Sequence, residues 1–191
     1  ENCRPRHGAI MAVLADIRFY TCVSNLARIV TSPPGTNWAT FECLGAGGAG
    51  IRGGGGGGAW AKRKIPCGPN VEFRVFVGCG ALSTNQGFPP QPAGPTFVKA
   101  TDYEETIICF ASCGLNAIPD GVGEPGPVNT CVGDSAHGGG RGAPSSVSDG
   151  EKWGGGGGGG ARPVIDGSVG QGYIGGSMGG ALSLEWAATH P

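Results

Sequence analysis

Charge is the first thing this sequence has little of. Only 14% of its 191 residues are charged, and 13 Lys and Arg stand against 14 Asp and Glu for a net charge of −1. A nucleic-acid partner calls for a basic face that neutralises phosphates. Here the densest basic spots are Arg4, Arg6 and the run Lys62-Arg63-Lys64, which reads as a solvated strand end. Long apolar runs are missing too. No segment reaches the ~20 apolar residues a membrane-spanning helix needs, and the short run from Ala9 to Ala15 stops at Asp16, which argues against a signal peptide. There is no C-x-x-C pair, and His7, His137 and His190 are the only histidines. Neither a zinc ribbon nor a thioredoxin-type centre is expected, and no metal or cofactor site.

Glycine and proline are abundant, at 41 and 15 residues. Such a composition often means disorder. Disordered chains, however, are rich in charge and poor in apolar residues, whereas 39% of this chain is hydrophobic. The apolar residues cluster in short runs between glycine tracts, so ordered strands joined by glycine-rich connections are predicted. Eight cysteines are present: Cys3, Cys22, Cys43, Cys67, Cys79, Cys109, Cys113 and Cys131. An even count, wide spacing and a glycine backbone that loses much entropy on folding all point to disulfides. That implies an oxidising, extracellular setting. Connectivity is not readable from spacing. Cys3 is the first candidate for a bond between subunits, with Cys22 beside it outside the glycine-rich part.

Residues 1–30 contain a single glycine, Gly8, and read as an N-terminal arm or attachment segment; 31–191 form one glycine-rich β domain. Ser32-Pro33-Pro34-Gly35 signals a turn. In 37–44 Phe41 and Cys43 alternate with Thr40 and Glu42, a strand pattern with Phe41 and Cys43 facing inward. Residues 59–65 read as a second strand, Pro66-Cys67-Gly68-Pro69 as a turn, and 71–77 as the clearest strand of all. Segments 96–100 and 106–112 suggest two more around an acidic turn, and 181–187 the last. Pure glycine tracts cover 53–58 and 154–160, with a third glycine-rich stretch at 167–180. Polyglycine can adopt left-handed threefold helices like polyproline II. These have no internal hydrogen bonds, but several of them side by side can bond backbone to backbone. With at least three glycine-rich segments in the chain, ordered packing is expected over flexible linkers.

In order, the chain shows a Pro-Gly turn, a strand ending in Gly-Ala-Gly-Gly, a polyglycine tract and the segment AWAKRKI. A Pro-Cys-Gly-Pro turn, VEFRVFVGCGA, further glycine tracts and GGALSLEW follow. Over roughly residues 31–187 this resembles the glycine-rich domain at the ends of phage tail fibres and other phage appendages. It is also similar to the glycine-rich extracellular region of anaplastic lymphoma kinase-type receptors, which pairs a tumour-necrosis-factor-like β-sandwich with polyglycine helices. The resemblance implies an all-β fold: an antiparallel β-sandwich of jelly-roll or TNF-like type, packed polyglycine II-type helices, and long Gly/Pro loops. It implies a virion surface appendage or decorating subunit that contributes to host attachment. Its partners would be copies of itself, in a homotrimer, together with other virion proteins and a host surface glycan or protein. The alternatives are a receptor ectodomain, against which the absence of any Asn-x-Ser/Thr acceptor counts, and a capsid or tail-wall subunit without a receptor role.

Catalytic patterns are weak. Gly175-Gly176-Ser177-Met178-Gly179 matches G-x-S-x-G, but no helix former follows it. Asp134, Ser135 and His137 crowd one loop, whereas triad members come from separated parts of a chain. Glu104 and Glu105 are adjacent and point apart. A non-enzymatic protein is expected. Recognition would then fall to loops 82–95, 115–130, 134–153 and 161–174, because loops vary at little cost to a scaffold. Trp153 and Tyr173 are the aromatic candidates for receptor contact and Arg141 and Arg162 the cationic ones.

Overall fold

The computed structural model describes residues 16–21, 27–49, 54–81, 92–101, 106–117, 123–142 and 180–188, the first of these for the backbone alone. Among the described residues the chain is all-β. Its strands are β1 (Asp16–Thr21), β2 (Arg28–Thr31), β3 (Trp38–Leu44), β4 (Trp60–Pro66), β5 (Glu72–Phe76), β6 (Thr96–Ala100), β7 (Ile107–Ala111), β8 (Ser135–His137) and β9 (Ala181–Ala187), with one 3-10 turn at Val128–Thr130. They form two antiparallel sheets. One has five strands in the order β1-β9-β3-β4-β8, the other four in the order β2-β5-β6-β7. The segment read as an arm supplies β1, which pairs with β9, and most of β2, which pairs with β5.

Period-two patterning decides which face each strand buries. Ala39, Phe41 and Cys43 of β3 are fully buried, as are Leu182 and Leu184 of β9, while Glu42, Ser183 and Glu185 lie on the opposite face. The β3–β9 register sets Phe41 against Leu184 and Cys43 against Leu182. From the second sheet come Val30, Phe73, Val75, Val98, Cys109 and Ala111, which share one core with the first. The two sheets therefore lie face to face. Phe41, Phe73 and Trp186 are its thickest part, with ring centroids 5.0 Å apart for Phe41–Phe73 and 5.8 Å for Phe73–Trp186. These edge-on and tilted contacts suit aromatic quadrupoles.

Two turns close the aromatic end. Thr36 N–H donates to the Pro33 carbonyl at 3.3 Å, and Gly35 takes φ 84°, the third position of a type II turn that only glycine occupies without strain. Asn70 takes φ 59°, which asparagine tolerates. Ser32 ties these turns together. Its Oγ donates to the Gly68 carbonyl at 2.7 Å and accepts from Val71 N–H at 2.8 Å.

Towards the other end the inner-face side chains shrink, from Phe and Trp to Cys43, Ala61, Cys109 and Ala111, and then to glycine. The layers converge accordingly. A Cβ placed on Gly45, just past β3, would overlap the carbonyl of Ser112, just past β7. At this end seven strands, β3 to β9, run into glycine-rich backbone.

Candidate functional site: a glycine platform that carries the loops

Segments 45–49, 54–59, 77–81, 92–95, 112–117, 123–127 and 138–142 gather where the sheets converge. They are not a third sheet. A β-strand has two bonding edges, but segment 54–59 bonds to four neighbours. Gly56 N–H donates to Leu115 O at 2.9 Å, Gly57 N–H to Gly140 O at 2.7 Å and Ala59 N–H to Ser112 O at 2.8 Å. Its own carbonyls accept from Gly45 and Gly48 on one side and from Gly123 and Gly126 on another. The buried backbone groups of this stretch thus find partners all round, as burial demands.

At several of these positions only glycine fits. An added Cβ would overlap the Glu124 carbonyl at Gly56, the Gly56 carbonyl at Gly114 and the Gly57 carbonyl at Gly139. Of the six alanines in these segments, Ala46, Ala49, Ala81 and Ala93 form a small apolar cluster with Cys113 packed against it, and Ala59 and Ala117 are buried as well. Composition here does what a hydrophobic core does elsewhere: it selects the residues that can fill the space.

The platform gathers the loop feet. Ala81 N–H donates to Gly47 O at 3.4 Å, Ala117 N–H to Ala49 O at 2.8 Å, Gly123 N–H to Gly54 O at 2.8 Å and Gly142 N–H to Gly123 O at 3.0 Å. Asn116 Oδ1 also accepts from Ala49 N–H at 2.8 Å. The ends of four connections, 50–53, 82–91, 118–122 and 143–179, are thereby cross-braced. Around the feet stand Leu115, 54% exposed, and an Arg141–Glu124 ion pair at 2.9 Å.

Arg141, one of the cationic candidates for recognition, is therefore at the platform and paired with Glu124. Trp153, Arg162 and Tyr173 lie outside the described residues, as do Ser177, Glu104 and Glu105. Asp134 continues the β8 side of β4: its N–H donates to Lys62 O at 2.8 Å and its Oδ2 accepts from Lys64 N–H at 2.8 Å. His137 stacks on Trp60 at 5.3 Å, and the Trp60 indole N–H donates to Glu42 at 2.6 Å.

The cysteines differ from the disulfide expectation at most described positions. Cys79 is disulfide-bonded, while Cys43, Cys67, Cys109, Cys113 and Cys131 carry free thiols. Cys3 and Cys22 lie outside the described residues. The reason is positional. Cys43 and Cys109 sit on inward-facing strand positions and act as small apolar core residues. Burial first, then the Cys109 hydrogen bond, pushes the Cys43 thiol well above its ordinary range, and burial raises Cys67 and Cys113 as well. No group of three or more metal-ligating side chains occurs among the described residues, and no helix there is long and apolar enough to cross a membrane.

One feature escaped the sequence reading. Phe76, Phe97 and Phe110 form a stacked row across β5, β6 and β7 on the outer face of the four-stranded sheet, with centroids 4.4 and 5.9 Å apart. The alternation that sends Val75, Val98 and Cys109 inward sends these three outward. Their faces stack on one another, which stabilises the sheet as cross-strand pairs do. No protein-family model matches this chain. No curated protein matches it.

Proposed function

We propose that this chain is a non-enzymatic structural protein of a phage particle, a tail-fibre, appendage or surface-decorating subunit that presents loops for host attachment. In this reading the two sheets are a β-sandwich of jelly-roll or TNF-like type. The glycine segments are threefold helices of the polyglycine II kind, a geometry whose outward-pointing N–H and C=O groups suit bonding to several neighbours at once. The observation that supports it most is the bracing of four loop feet on one glycine-rich platform. Such an arrangement spends much of the chain on rigid support for connections, and rigid scaffolds carrying loops are how recognition surfaces are commonly built. Trp153, Tyr173 and Arg162 belong to the longest of these connections and remain the proposed contacts, with Arg141 at its foot. The particle context rests on the sequence resemblance, and self-association into a trimer comes with it.

Labelling decides the first part. Antibodies raised against the purified chain should decorate one defined appendage of intact particles in electron micrographs. Particles without label would refute the virion assignment. Particles carrying Trp153→Ala together with Tyr173→Ala should adsorb to host cells at least tenfold more slowly; full adsorption with normal assembly would leave the chain as scaffold alone.

A further inference from the structure

Two thiols meet across the narrow end of the core. Cys43 is on the inner face of β3 and Cys109 on the inner face of β7, both fully buried. In the β3–β4 register Cys43 stands opposite Ala61. The Cys109 Sγ lies 3.6 Å from the Ala61 carbonyl oxygen and 3.9 Å from that of Phe41, two residues along β3 on the same face. The Cys109 sulfur thus sits over the residue pair that contains Cys43. Face-to-face sheets are usually ~10 Å apart. Here Cα atoms of β3 and β7 come within 8 Å, because Ala61 and Ala111 leave little between the layers. A disulfide needs Cα atoms about 4.4–6.8 Å apart, so the small-residue end of the core is where one could join the sheets.

A third thiol competes. The antiparallel bridge between Phe110 and Val132 sets Cys131 beside Ala111, on the same face as Cys109 but diagonal to it. Its sulfur is turned towards Ser112, 3.9 Å from the Oγ. Diagonal neighbours are ~7–8 Å apart at Cα, beyond comfortable disulfide geometry.

We propose that Cys43 and Cys109, free thiols in this structure, are the reduced halves of an inter-sheet disulfide that is made when the chain folds in the presence of a low-molecular-weight disulfide. One protein thiol, as thiolate, attacks a sulfur of the oxidant and releases a small thiolate, leaving a mixed disulfide. The second protein thiolate attacks the protein sulfur of that bond and expels the other small thiolate. One S–S bond forms as one breaks. The protein pair gives up two electrons, and its two protons end on the two released thiols. In the closed core burial suppresses the Cys43 thiolate, so the bond forms before the sheets close and is shielded afterwards. It would pin the two layers at the root of the platform, where Ala61 and Ala111 leave the inner faces close together.

The test is refolding of the reduced full chain in a buffer of oxidised and reduced glutathione, followed by blocking of free thiols with iodoacetamide under denaturing conditions. Chymotrypsin cuts after Phe41, Leu44, Tyr103 and Phe110, which separates Cys43 and Cys109 from every other cysteine. The expected product joins peptide 42–44 to peptide 104–110. Recovery of Cys109 linked to Cys113 or Cys131, of Cys43 linked elsewhere, or of both as alkylated thiols overturns the proposal. Oxidised protein should also melt on the order of ten degrees above reduced protein. In Cys43→Ala most of that difference should vanish, leaving the share due to Cys79, and Cys131→Ser should keep it. An equal redox shift in wild type and Cys43→Ala overturns the assignment as well.

Discussion

Gly56→Ala adds one methyl group and should cost this protein much of its stability. The Cβ would overlap the Glu124 carbonyl and reach 3.0 Å from Pro125 N, the limit below which real Cβ atoms are essentially never found. Relief requires segment 54–59 to part from 123–127 by roughly 1 Å or more. Two hydrogen bonds join the same segments, Gly123 N–H to Gly54 O and Gly126 N–H to Gly57 O, each 2.8 Å. Stretched by that amount they pass the ~3.5 Å at which such bonds fail. Each broken bond leaves buried polar groups unsatisfied at about 1–3 kcal/mol. Against this, alanine lowers the entropy of the unfolded chain and returns about 0.4–1 kcal/mol. The net expectation is a loss of about 1–5.5 kcal/mol, out of a total typically ~5–15 kcal/mol. Gly68→Ala is the matched control. Gly68 is exposed and a Cβ there meets nothing within 4 Å, so it should be neutral or gain up to about 1 kcal/mol. Urea unfolding of wild type and both variants reads the difference directly as a shift in midpoint at constant slope. Equal midpoints for Gly56→Ala and Gly68→Ala would refute close packing of the glycine platform.

Two further outcomes are expected. Ser32→Ala removes both side-chain bonds that clamp the turns at the aromatic end, to Gly68 O and from Val71 N–H, and should lower stability by about 1–3 kcal/mol in the same urea assay; a change under 0.5 kcal/mol would mean that water replaces the hydroxyl at no cost. The Cys43 thiol is held neutral in the folded state by burial, above its ordinary value of 9.0. Its contribution is therefore complete below that pH and is lost as pH rises, because the unfolded chain ionises first; reduced protein should lose up to about 1.4 kcal/mol per pH unit from this group above pH 9, and Cys43→Ala should show a shallower decline. Identical slopes would contradict the burial of a neutral thiol.

Alternation of apolar and polar residues made most of the strands legible. Segments 37–44, 59–65, 71–77, 96–100, 106–112 and 181–187 match β3 to β7 and β9 within a residue or so at their ends, because a strand with one buried face must repeat every two residues. Gly35 likewise marked its turn, since few other residues accept that backbone. Short or weakly patterned strands stayed hidden. β8 has three residues, and what makes it a strand is its pairing with Trp60, Ala61 and Lys62. β1 and β2 lie in a stretch whose pattern fits helix or strand equally, until sheet partners supply the missing hydrogen bonds. The thiols show the same divide. Period two placed Cys43 inward beside Phe41, but the chemistry of a cysteine depends on what stands opposite, and Cys109 arrives there from 66 residues away by folding. Glycine is the extreme case. Its tracts announce that backbone must approach backbone, yet they carry no side chain to specify which segment meets which. The sequence by itself determined that space between neighbours would be too small for a Cβ. Only the tertiary structure, through convergence of two sheets as their inner residues dwindle from Phe and Trp to Ala, decided that seven such segments would bond together.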